Sequence, residues 1–437
     1  MRKYDLIIKA GILISMAENQ ELVNNVYIMI SNGEIKDINN NWEKEIINAR
    51  EYINAEDCIV MPGLINCHTH LPMTLLRGIS DDLPLNKWLF EKIFPWESKH
   101  MNPDTVYWGS LLGCAELIRA GTTCIVDGYF FQESTIKALD EAKIRGLIAQ
   151  GIIDFPSPDI PDPKENINIA KAFLEKWTGY SDLIIPGIFC HSPYTCSEKT
   201  LKSAKRLSEQ FGIPLQIHLS ETLQEVKDIF TKTGKKPVIY LNDIGILDKN
   251  LITAHAIHLD DDEIDILAEK EVKIAHVPES NMKLASGIAP ISKFIEKGLT
   301  IGIGTDGCAS NNNLNLLCEI ESASKLAKVA IANPACLDSY TALKMVTTWG
   351  AKLLGCEDKI GSIEIGKKAD LIILDTDKPY MHPLYDPMAS VVYSSSGGNV
   401  RDVIVNGKIV MRNRKLQTLQ LKDILYNIKC ITKKLNN

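Results

Sequence analysis

Hydrophobic and polar positions fall into two rhythms along the chain. Near the N-terminus, LIIKAGILISM (6–16) and VYIMISNGEIKDI (26–38) are short apolar runs, with Asn32-Gly33 as a turn signal. The same texture returns in ADLIILD (369–375) and NVRDVIVNGKIVM (399–411), with a hairpin turn at Asn406-Gly407. Two strand-rich ends around a different middle predict one small β domain built from both termini. In the middle, eight apolar strand-like runs recur: CIVMPGLINC, TTCIVDG, RGLIAQGIID, LIIPGIFC, PLQIHL, LITAHAI, VKIAHV and LTIGIGTDG. Helical patterns separate most of them. The pattern in TVYWGSLLGCAELIRAG ends at Gly121, and that in SEKTLKSAKRLSEQFG starts at Ser197 as N-cap and ends at Gly212. DDDEIDILAEK carries carboxylates in its first turn, where the helix dipole favours them. Strands alternating with helices predict a parallel sheet, and eight such strands close a (β/α)8 barrel. The expected division is 1–58 as the first part of a β-sandwich domain and 59–358 as the barrel. Residues 359–437 would supply the rest of the sandwich and a terminal helix.

Active residues of such barrels gather at the C-terminal ends of the strands. Polar candidates do stand there. Strand one ends in His68-Thr69-His70, strand four in His191 and strand five in His218, with Glu221 three residues on. Strand six carries His255, strand seven ends near His276 and Glu279, and strand eight in Asp306. Of nine histidines, only His100 and His382 fall clearly outside these ends and read as surface residues. Alone, the pair in NCHTHLPMTLLRG fits hydrogen-bonded core histidines as well as a metal site. His258 reads as structural, His276 as either structural or a neighbour of the ligands, and an Asp in GTDG is often a turn residue. The joint set decides for metal. Side chains two apart on a strand share a face, so His68 and His70 point the same way. Three imidazoles and a carboxylate suit zinc, and also iron or manganese.

Composition narrows the classes. Net charge is -7, which gives no footprint for nucleic acid or an anionic membrane. No apolar run reaches the ~20 residues of a membrane span. The eleven cysteines are scattered, without a CxxC pair, and MRKYDLIIKAG is no secretory leader, so a cytoplasmic protein with reduced thiols is expected. HExxH, the H-x-E…P-C-x-x-C deaminase signature, GxGxxG and the Walker loop are all missing. Cys67, Cys190 and Cys308 flank site residues and are read as packing.

With these residues in view, PGLINCHTHLPMTLLRG, HLSET, TAHAIHL, HVPESNMKLASGIAP and GIGTDGCASNNNLNL resemble the amidohydrolase superfamily. Within it, they resemble the deaminases of 5′-methylthioadenosine and S-adenosylhomocysteine. The likeness extends through GSIEIGKKADLIILD to SSSGGNVRDVIVNGKIVM. It implies that His68, His70, His218 and Asp306 hold one divalent metal, usually zinc. It implies that Glu97 contacts the ribose hydroxyls and His191 the nucleoside. Glu221 would handle the proton at the adenine ring nitrogen, His255 would orient the attacking water, and Asp306 would take that water's proton. The product would be the inosine derivative, with release of ammonia. Two-metal members carry a modified lysine near strand four; here His191 stands there, so one metal is expected. Some members place arginines after strand three; IAQGIIDFPSPDIPDP offers Gln150 instead, with Arg145 earlier in the strand. A carboxylate clamp is not visible, which favours methylthioadenosine or adenosine over the amino-acid-bearing homologue. Alternatives are another amidohydrolase on the same site, such as a guanine deaminase or a chlorotriazine-type hydrolase, and an inactive metal-binding scaffold. Glu221 favours deamination, and no ligand position is broken. Barrels of this type often form homo-oligomers, but no surface pattern here specifies one.

Overall fold

A computed structural model describes residues 2–18, 22–40 and 47–435. The terminal segments build one mixed eight-stranded sheet, in the order β16-β15-β14-β13-β4-β1-β2-β3. Its N-terminal strands are β1 (Arg2–Leu13), β2 (Val23–Ser31), β3 (Glu34–Asn39) and β4 (Ile47–Pro62). The barrel strands follow as β5 (Leu64–Thr69), β6 (Thr122–Tyr129), β7 (Arg145–Ile152), β8 (Ile184–Cys190), β9 (Leu215–Leu219), β10 (Leu251–His255), β11 (Lys273–His276) and β12 (Ile301–Ile303). The C-terminal strands are β13 (Leu371–Asp375), β14 (Val400–Val405), β15 (Lys408–Arg412) and β16 (Lys415–Leu416), before the helix Leu421–Leu435.

Turn chemistry sets the hairpins. Asn32 and Gly33 have φ of 52° and 76°, and Asn406 and Gly407 have 48° and 74°, the left-handed pairs that a two-residue hairpin demands. CIVMPGLI is not one strand. It breaks at Pro62-Gly63, so CIVMP ends β4 in the terminal sheet and the barrel opens at Leu64. Gly63 is required there, because a Cβ would sit 2.1 Å from the Thr123 hydroxyl.

β13 and the C-terminal end of β4 show no polar face because both faces are buried. Val60, Leu371 and Ile373 join Leu6 and Ile8 in a core internal to the terminal sheet. Their neighbours Ile59, Met61, Ile372 and Leu374 pack into the barrel's outer core. Each such side chain contributes about 1.5–3 kcal/mol by leaving water.

The barrel strands pair in parallel and in chain order. A bridge between Thr69 and Asp306 closes β12 onto β5, and the Asp306 N–H donates to the His68 carbonyl at 2.9 Å. The expected caps hold: Ser197 accepts from the Thr200 N–H, and Asp260 and Glu263 form a capping box. No described helix is long and apolar enough to cross a membrane.

Candidate metal centre and active site

Strand ends deliver the site residues, but three depart from regular geometry to do so. The pairing of β5 with β6 shifts between Asn66 and Thr69, a bulge that re-aims His68. His255 and Ala256 have φ of 70° and 50°, which turns His255 toward His218, with ring centroids 5.2 Å apart. Asp306 and Ser220 also hold positive φ, at 61° and 50°. Non-glycine residues pay about 1–3 kcal/mol for such backbone, which clusters at functional sites.

The donors converge. His68 Nε2 lies 3.2 Å from His218 Nε2 and 3.5 Å from Asp306 Oδ1, and His70 Nε2 is 3.4 Å from the same oxygen. Ligands on a tetrahedral ion with bonds of about 2.0–2.1 Å stand roughly 3.3 Å apart, so this donor set fits a divalent metal. The donors group as two triads sharing His68: His68–His70–Asp306 and His68–His218–His255.

The surroundings fix donor states. His70 Nδ1 lies 2.6 Å from the Gly128 carbonyl, which makes it the protonated nitrogen and frees Nε2. Burial lowers His68 to about 4 and His218 well below the ordinary imidazole range, so both are neutral. Burial works against charge on Asp306, but the His68 and His70 imidazoles outweigh it and hold the carboxyl well below its usual range. Ser280 and Ser310 hydroxyls donate to Asp306 Oδ2 at 2.7 and 2.8 Å, leaving Oδ1 to face the imidazoles. Neutral imidazoles and an ionised carboxylate are the states that bind metal.

A cavity of about 730 Å³ opens above these donors. His70, His218, His255, Asp306 and Glu221 line it, as do Glu97 and His191. His68 does not line it and meets it through its neighbours. Glu221 Oε2 is 3.6 Å from His255 Nε2, and the Ser286 hydroxyl donates to Oε1 at 3.2 Å. Burial raises the Glu221 carboxyl above its ordinary range. His255 Nδ1 pairs with Asn281 Oδ1 at 2.9 Å. Burial disfavours the His255 cation, yet Glu221 and Asp306 outweigh it and raise its pKa.

Glu97, also in the cavity lining, sits on the helix Phe94–His100 and is only 1% exposed. Among the described residues its side-chain partner is the Tyr129 hydroxyl, and burial pushes its carboxyl up to about 8. His191 Nδ1 is 3.0 Å from Thr195 Oγ1.

Some expectations resolve differently. Gln150 bonds Asp159 at 2.8 Å and does not line the cavity. Arg145 points away from the site into an ion pair with Asp370, at 2.9 Å. His276 is buried beside β12 with Nδ1 unpaired among the described residues, and it does not line the cavity either. Cys67 is a buried filler against Gly302, and burial raises its thiol. Sequence reasoning missed Tyr129, Asn281, Ser280 and Ser310. Tyr129 ends β6, where the strand-end rule would have marked it.

The amidohydrolase family model matches residues 59–410. A 5-methylthioadenosine/S-adenosylhomocysteine deaminase of Thermodesulfovibrio yellowstonii is 42% identical over 425 residues, covering 96% of each chain. The chain belongs to the amidohydrolase family. Among its relatives, this amidohydrolase also matches a 5′-deoxyadenosine deaminase of Methanocaldococcus jannaschii, 43% identical over 91% of this chain and 93% of that one. A zinc-bound adenosine deaminase structure from Xanthomonas campestris superposes with a TM-score of 0.96, at 34% identity and 99% coverage of both chains.

Proposed function

We propose that this amidohydrolase is a metal-dependent hydrolytic deaminase of adenine nucleosides, converting the adenine to hypoxanthine and releasing ammonia. The carrying observation is that Glu221 and His255 stand beside four converging donors in a cavity that the buried carboxyl of Glu97 also lines. In this reading His68, His70, His218 and Asp306 hold one divalent ion, Zn2+ by donor type, with Fe2+ or Mn2+ also compatible. Bound there, the ion supplies a Lewis acid that makes water a nucleophile at neutral pH.

The chain's own groups do the rest. Glu221, whose carboxyl is raised above its ordinary range by burial, donates a proton to the ring nitrogen beside C6 and makes that carbon attackable. Asp306, held ionised, accepts a proton from the attacking water. His255, fixed by Asn281, orients the water and the oxygen it becomes. Water adds at C6; Glu221, now ionised, carries the adduct's remaining hydroxyl proton to the amino group, the C6–N bond breaks and ammonia leaves, and the proton held by Asp306 returns to Glu221, which resets both carboxyls. Glu97 accepts hydrogen bonds from the ribose hydroxyls, and His191 contacts the nucleoside.

The 5′ substituent meets an apolar wall that includes Leu85, Trp88, Leu89 and Ile153, and no Lys or Arg lines this cavity among the described residues. Phe94, which lines the cavity, meets Phe155 edge-to-face with centroids 5.2 Å apart, adding apolar surface beside this wall. This supports 5′-methylthioadenosine, 5′-deoxyadenosine or adenosine as substrate over S-adenosylhomocysteine. Measuring kcat/KM for the four nucleosides, with guanine and a chlorotriazine as controls, tests the reading. Preference for S-adenosylhomocysteine removes the substrate assignment, and turnover of the controls alone removes the nucleoside reading.

A further inference from the structure

The turn that carries Glu221 is held from outside itself. Ser220 stands at φ 50°, a conformation costly without glycine, and its own hydroxyl is buried with no partner among the described residues. Two other contacts reach the turn. The Ser220 carbonyl accepts the N–H groups of Ile257 and His258 at 3.2 and 3.0 Å, tying it to the segment after β10. Glu225, four residues past Glu221 and buried, accepts the Ser220 N–H on Oε1 and the Glu221 N–H on Oε2, both at 2.8 Å.

Helix capping alone does not account for this. Thr222 is the N-cap of the helix Leu223–Thr233, and its hydroxyl accepts the Glu225 N–H at 3.2 Å. In a capping box the glutamate at N3 returns its carboxylate to the N-cap N–H. Here it reaches past Thr222 and uses both oxygens on the two preceding amides. Each oxygen therefore fixes one peptide plane of the turn, and the two planes set where the Glu221 side chain leaves the backbone. From there Glu221 meets His255 and Ser286 across the cavity.

We propose that Glu225 is a positioning residue whose carboxylate clamps the Ser220–Glu221 turn and so aims the Glu221 carboxyl at the reacting ring. This rests on the reading of Glu221 as the proton shuttle. The mechanism is geometric, and the clamp touches neither substrate nor metal ligands.

The test is a double-mutant cycle on the metal-loaded full chain with 5′-methylthioadenosine, using E225A, E225Q, E221Q and E221Q/E225A. E225Q keeps the side-chain volume and serves if E225A does not fold. Loss of the clamp is expected to lower kcat about tenfold or more, part of the ~10²–10⁴ a positioned proton-transfer group contributes. KM and metal content should stay near wild type. If Glu225 acts through Glu221, the double variant is no slower than E221Q alone. A Glu225 variant with wild-type kcat overturns the proposal, as do losses that multiply in the double variant. A wild-type rate for E221Q itself would instead overturn the proton-shuttle reading beneath it.

Discussion

Two carboxyls that line the cavity are raised for the same reason, burial, and their roles differ through their neighbours. Glu221 faces His255 and the donor cluster, whereas Glu97 accepts from the Tyr129 hydroxyl. Glu221→Gln removes the transferable proton but keeps shape, so it should retain metal and lose about 10²–10⁴ in kcat. Substituting His68 by Ala or Asp306 by Asn should instead lower bound metal and activity together, as read by metal analysis of the purified variants. Glu97 makes a prediction about pH. Its folded-state pKa of about 8 lies above the unfolded carboxyl value, so folding favours the protonated form. The stability this confers is present at low pH and declines between about 4.5 and about 8. Glu97→Gln carries no such charge, so its Tm should rise relative to wild type across that interval in the absence of nucleoside. A constant Tm difference across the interval would contradict the buried, rising carboxyl.

Elements explain why the site was legible in part. Strand number, helix caps and hairpin turns are local, and Ser197, Gly212, Asn32-Gly33 and Asn406-Gly407 declared them. That histidines crowd strand ends was visible because the barrel rule says where to look. How the chain aims them was not. Period-two alternation does not yield the bulge at Cys67-His68, nor the left-handed backbone that swings His255 inward. Nor did an unbroken apolar run show that CIVMP and LINC serve different sheets. Gly304 packs closely against this bulge, where a Cβ would lie 2.6 Å from the His68 nitrogen and 2.8 Å from its carbonyl oxygen. Those atoms belong to backbone and cannot yield cheaply. Gly304→Ala is therefore expected to displace His68, reduce metal content and cost about 1–3 kcal/mol of stability. Normal metal occupancy in that variant would show that the strand tolerates another path.

At the scale of the whole molecule, the barrel is fastened to the terminal sheet on the side away from the chemistry. Arg145, the first residue of β7, pairs with Asp370 just before β13, and its guanidinium also donates to the Asp182 carbonyl at 2.7 Å. Asp370 in turn accepts the Asn406 N–H at 2.7 Å. Partners 225 residues apart are not readable from sequence, which left the role of Arg145 open. Both side chains are nearly inaccessible to water, so Arg145→Ala leaves a buried, unpaired carboxylate and should cost about 3–5 kcal/mol. Its kcat per folded chain should stay unchanged, since the cavity lies at the opposite ends of the strands. Unfolding curves beside specific activity separate these two effects.

The account stands most directly on metal-dependent ammonia release. Protein stripped with a chelator is titrated with Zn2+, and ammonia production from 5′-methylthioadenosine is followed at each addition. The account predicts negligible rate without metal, and a rate that rises linearly and saturates at one equivalent per chain, with the hypoxanthine nucleoside as product. Undiminished release from the stripped protein, or saturation only at two equivalents, would contradict it.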